Sequence, residues 1–115
     1  MTQEQWAQFG EGFFKMFKWR LKLIEEMTQT EILRYEMKDI DQKTLLETLE
    51  YRVFEVSSLR TLLQSTFRLA RMETEDFPEF NDALSVWYKT DRYVFSTYTA
   101  IKHNHKPPQR ANKRG

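Results

Sequence analysis

No cysteine occurs anywhere in this 115-residue chain. That single absence removes disulfide scaffolds, thiolate-ligated zinc, iron–sulfur clusters and thiol catalysis together. It also fits a reducing compartment, and the expected location is cytoplasmic. Glycine is nearly as scarce, at Gly10, Gly12 and Gly115, and the only prolines are Pro78, Pro107 and Pro108. So little turn punctuation excludes a many-stranded β fold. Gly10 and Gly12 have neither a third glycine nor a Lys-Ser/Thr pair after them, so they form no phosphate-cradling loop.

Histidine is limited to His103 and His105. A metal site wants three or four ligands, and this pair has no Cys and no carboxylate near it in sequence, so neither a metal nor another cofactor is expected. The serines stand in helical patterns with no strand–turn–helix elbow around them. No catalytic residue is assigned, and a non-enzyme is expected. Uncharged apolar runs are missing too: none approaches the roughly 18 residues of a membrane span. The opening MTQEQ carries an acid and no basic cluster, unlike a secretory signal.

What the chain has is charge of both signs threaded through aromatics. The net charge of +1 hides a division. From Lys102 onward five cations occur without an acid, while the other 13 of the 18 cations share residues 1–101 with all 17 acids. A mildly acidic body of residues 1–104 with a short basic, proline-containing tail over 105–115 is expected. The body is long enough to bury one modest core.

The periodicity is helical almost throughout. Thr2 and Gln5 have capping-box spacing, and Trp6, Phe9, Phe13, Met16, Phe17, Ile24 and Met27 recur at about 3.6 residues. After Met27 the phase of the pattern changes. Thr28 and Glu31 repeat the capping-box spacing, which predicts a break and a short helix over about 31–38; a continuous rod that changes neighbours is the alternative. Asp41 is positioned to cap the next helix, whose stripe is Leu45, Leu49, Val53, Val56, Leu63, Phe67 and Ala70. Pro78 suits the first turn of a last helix, with Phe80, Ala83, Leu84, Trp87, Val94, Phe95, Tyr98 and Ile101 on one face. The fold class expected is all-α: a bundle of three long helices plus one short helix, followed by the tail.

Several features bear on function. Arg20, Arg60 and Asp91 fall inside apolar stripes, where an unpaired charge costs several kcal/mol. They predict a buried ion pair of Asp91 with Arg20 or Arg60. The central helix carries a second stripe, Tyr51, Ser58, Leu62, Ser65, Leu69 and Met72, roughly opposite its main one. A helix apolar on two sides must meet neighbours on both, and an eight-residue helix is too short to cover a stripe of roughly 30 Å. A partner seam is expected there.

Cations at Lys15, Lys18, Lys22, Arg68, Lys102, Lys106, Arg110, Lys113 and Arg114 are candidate phosphate contacts. The stretch FFKMFKWRLKLI, residues 13–24, also raises membrane-surface binding. Lys15, Lys18 and Lys22 share their strip with Glu11, Glu25 and Glu26, however, and mixed charge of that kind makes a solvated back poorly suited to lipid. The leading expectation is a non-enzymatic helical interaction protein, an assembly subunit, adaptor or inhibitor that self-associates or docks on a larger complex. The alternative is a small nucleic-acid-associated subunit; a membrane partner is not expected.

Overall fold

The computed structural model describes residues 2–69 and 78–109, the side chains of Gln3, Trp6 and Leu69 excepted. Three helices pack against one another: α1 (Gln3–Glu36), α2 (Gln42–Leu69) and α3 (Pro78–Lys102). Contacts at both ends fix their directions. Lys18 meets Asp82 and Glu25 meets Thr90, so α1 and α3 run parallel. Phe67 packs on Phe80 and Gln42 reaches the end of α3, so α2 is antiparallel to both. The result is a rod of 53 × 27 × 19 Å, close to the roughly 51 Å expected for 34 residues of α-helix.

Local chemistry sets the start of α1 and α2 and the end of α1 and α3. Thr2 and Gln5 exchange the two capping-box hydrogen bonds, at 3.1 and 2.8 Å. Asp41 Oδ1 accepts from the Thr44 N–H at 2.8 Å, which starts α2 and holds the Asp41 carboxyl below its ordinary range. α1 and α3 both stop in the same way. Lys38 and Asn104 adopt left-handed φ values of 64° and 58°. The next amides, of Asp39 and His105, then reach back to the carbonyls of Arg34 and Ala100, at 2.8 and 2.7 Å. Gln42 adds a cross-brace: its side-chain amide donates to the Ile101 carbonyl at 2.8 Å, tying the start of α2 to the end of α3.

The short helix over 31–38 is not a separate element, because α1 continues through it without a break. The threonines that suggested a break do something else. Thr28 and Thr30 turn their hydroxyls onto the carbonyls of Ile24 and Glu26, at 2.8 and 3.0 Å, the mid-helix alternative to capping. The buried face of α1 is also rotated from the expected one. Phe14, Phe17, Leu21, Ile24, Thr28 and Ile32 are buried, whereas Met16 is 63% and Phe9 42% exposed. The expected stripe omits Phe14 and Leu21 as well as Thr28, and so is centred on the flank of the helix that faces α2.

A 3–4 alternation explains all three core faces. On α3 it reads Phe80, Ala83, Trp87, Thr90, Val94, Thr97, Ile101, all buried except the half-buried Phe80. On α2 it reads Leu45, Leu49, Arg52, Val56, Leu59, Leu63. Such spacing keeps one seam facing its neighbours along nearly straight helices. The larger core cluster includes Phe14, Leu21, Ile24, Val56, Leu63, Trp87 and Val94; a smaller one joins Leu45, Leu49 and Ile101 near the α1–α2 turn. Phe95, expected on the inner face of α3, is 54% exposed, one position off this seam. Residues 105–109 fold back over the bundle, where Lys106 and Pro107 line clefts with Ile32 and Glu36. Residues 110–115 lie outside the described part.

Three stability outcomes follow. The Thr97 hydroxyl is buried without a partner, whereas the Thr90 hydroxyl donates to Glu25 at 2.5 Å. Thr97→Val should therefore stabilise by about 1 kcal/mol and Thr90→Val destabilise by a similar amount, read from urea midpoints at constant slope. Lys38→Gly should raise stability by about 1 kcal/mol, since glycine takes the left-handed turn without the Cβ penalty, measured as an increase in melting temperature.

Candidate functional site

Which face of α2 points outward is decided by charges on its flanks. Toward α1, the Arg52 guanidinium donates to Glu31 at 3.0 Å and to Glu55 at 3.1 Å. Glu55 also accepts from Arg20. All three acid and base groups around Arg52 are largely shielded, with side-chain exposures of 13–14% for Glu31, Arg52 and Glu55. Burial alone would lower the Arg52 pKa; the two carboxylates outweigh it and hold the group charged. Arg20 is thus paired with Glu55 and not with Asp91, because its place on α1 faces α2 and Asp91 belongs to α3.

Toward α3, the Trp87 indole N–H donates to the Val56 carbonyl at 2.7 Å, inside the core. Arg60 lies over the Trp87 and Tyr88 rings, 4.8 and 5.3 Å from their centroids. One turn along α3, Asp91 is half-buried. Desolvation raises its pKa, and the Arg60 charge opposes that rise without forming an ion pair with it. The expected Arg60–Asp91 partnership is therefore a through-space influence, and Arg60 uses its guanidinium face on aromatic rings.

With both flanks fixed, the second stripe of α2 faces away from α1 and α3. Tyr51 is 60% exposed and Leu62 50%, and Ser58 and Ser65 are exposed beside them. Phe54, absent from the expected seam, is the most exposed of the set at 69%. It lies three residues from Tyr51 and four from Ser58, a spacing that could have placed it there. The hydroxyls of Ser58 and Thr61 turn inward onto the carbonyls of Phe54 and Ser57, at 3.0 and 3.5 Å. What they present outward is small and largely apolar. The Arg52 guanidinium sits 5.5 Å from the Tyr51 ring centroid and steadies the edge of the stripe. From Tyr51 to Ser65 it extends for roughly 21 Å. Leu69 ends α2 with its side chain outside the described part, and Met72 lies outside it altogether.

The candidate phosphate contacts are not gathered on one surface. Lys18 is held by Asp82 at 2.7 Å, Lys102 lies 5.7 Å from the Tyr98 ring centroid, and Lys15 and Lys22 are exposed on α1, Arg68 on α2 and Lys106 beyond α3. Arg110, Lys113 and Arg114 lie outside the described residues. A groove of about 730 Å³ runs along the outer face of α3, with Leu84, Tyr88, Lys89, Arg92, Tyr93 and Pro108 among its lining. Its described lining holds no carboxylate and no histidine. Among the described residues, no group of three His, Asp or Glu could hold a metal ion, and the His103 and His105 rings lie 6.4 Å apart at the end of α3. No described helix is long and apolar enough to cross a membrane.

The Asp91 environment generates a pH-dependent outcome. A carboxyl whose folded pKa lies above its unfolded value opposes folding once ionised, so stability falls as pH rises through and above the ordinary value of 3.8. Asp91→Asn should raise the melting temperature at pH 7, with the gain vanishing well below pH 3.8, as followed by thermal unfolding across pH.

Comparison of the chain with models of protein families, with curated proteins and with solved structures finds no match.

Proposed function

We propose that this chain is a non-enzymatic helical interaction protein, an assembly subunit, adaptor or inhibitor acting in the cytoplasm through the outer face of α2. The observation that carries this reading is the line of Tyr51, Phe54 and Leu62. Three large apolar side chains remain at least half exposed along one helix face while the hydroxyls between them turn inward. Contiguous apolar surface of this kind, rimmed by charge, marks interaction sites on soluble proteins. Small residues between large ones let another helix approach closely, and aromatic side chains supply most of the energy at such contacts.

Association with nucleic acid is the weaker alternative. Lys18 is held by Asp82, and Glu11 and Glu26 interrupt the strip that Lys15 and Lys22 would form. A steeply salt-dependent affinity for DNA or RNA, unchanged by substitution on α2, would favour that alternative.

The test is charge placed on the stripe. Phe54→Glu with Leu62→Glu should abolish self-association, or release a protein that co-purifies from the native cell, while far-UV circular dichroism stays unchanged. Both positions are exposed, so the fold should lose little. A variant that sediments and binds like the parent chain would sink the reading.

A further inference from the structure

We infer that the occupant of the α2 face is a second copy of this chain, docked antiparallel about a two-fold axis level with residue 59. The inference rests on the reading of that face as an interface and adds its partner and orientation. It comes from two charges that flank the stripe. Glu50 and Arg68 are both exposed, and neither forms an ion pair among the described residues. They are 18 residues apart, which is five turns at 3.6 residues per turn, so they occupy the same side of the helix, just beside the stripe.

When two copies of a helix are related by a two-fold axis perpendicular to them, each flank meets the same flank of its mate with direction reversed. Glu50 of each copy then faces Arg68 of the other, and two ion pairs close the rim of one isologous contact. The same register sets Phe54 roughly level with Ser65 of the mate, and Leu62 between Phe54 and Ser58. Phe54 therefore opposes a small residue, and Leu62 reaches the gap left beside Ser58. A parallel pair lacks this match. There the axis lies along the helices, opposite flanks meet, and Glu50 falls beside Thr48 and Glu55 of the mate, where the nearby cation, Arg52, is already held by Glu31 and Glu55.

The absence of cysteine makes the arrangement directly testable on the full chain. Sedimentation equilibrium should show a dimer that Glu50→Arg and Arg68→Glu each weaken roughly tenfold. An equimolar mixture of these two variants should recover parental affinity, because in the mixed dimer both facing pairs are again of opposite charge; so should the double exchange within one chain. Under oxidation Ser58→Cys should link into a covalent dimer. Ser65→Cys should not, since its two copies would be about 18 Å apart along the axis.

A dimer broken by Leu62→Glu but indifferent to the charge exchanges, or one linked equally through Ser58→Cys and Ser65→Cys, overturns the antiparallel arrangement and leaves the face an interface. A chain monomeric at every concentration also overturns the inference. In that case the broader reading fails as well unless the charged α2 variant releases a co-purified protein.

Discussion

Arg52 occupies a place in the α2 seam that its spacing would give to an aliphatic residue, and much of the bundle is arranged around neutralising it. A guanidinium at that depth is tolerable only with partners. Glu31 and Glu55 supply them, and Glu55 holds Arg20 as well. Glu31 reaches Arg52 only because α1 is still helical beyond Thr28. The ion pair and the unbroken rod therefore require one another. A chain that broke at Thr28 would leave Arg52 facing a turn, with one carboxylate in place of two.

On the opposite flank the Trp87 indole binds the Val56 carbonyl, and Arg60 covers the Trp87 and Tyr88 rings. These contacts are specific in rotation as well as in height. Turning α2 by one residue, about 100°, would break both flanks at once and carry Glu50 or Arg52 away from its present side. The orientation of the inner face thus fixes the outer one. Tyr51, Phe54 and Leu62 are exposed because Arg52, Val56 and Arg60 are engaged.

The helices themselves were legible from periodicity, from the Thr2 and Asp41 caps and from Pro78, all of them local chemistry that needs no neighbour. What escaped was decided between helices. The α1 stripe left out Phe14, Leu21 and Thr28, all buried, and so its rotation was misplaced; a hydrophobic count likewise passes over Thr90 and Thr97 on α3. Reading 3–4 spacing without regard to polarity recovers all three seams. Glu31 was read as a capping residue, which in an unbroken α1 it is not, and its role across the bundle depends on Arg52, 21 positions away. The α2 stripe was visible as a second periodic face, yet Phe54 fell outside a strict seven-residue repeat. Its exposure follows from how far the flanking charges rotate the helix.

A charged network inside a small bundle is poor evidence of extra stability. Glu31 Oε2 and Arg52 Nε remain buried without hydrogen-bond partners, and apolar side chains of similar volume often match or exceed such networks in stability. Rotational uniqueness is what an aliphatic seam would supply less well: leucines tolerate neighbouring registers, whereas Arg52 has two carboxylates within reach in one register only. For a protein whose proposed work lies on its outer face, that distinction matters more than a few kcal/mol of folding free energy. The outer stripe is a usable surface only if α2 presents it at one angle, and the interior charges enforce that angle.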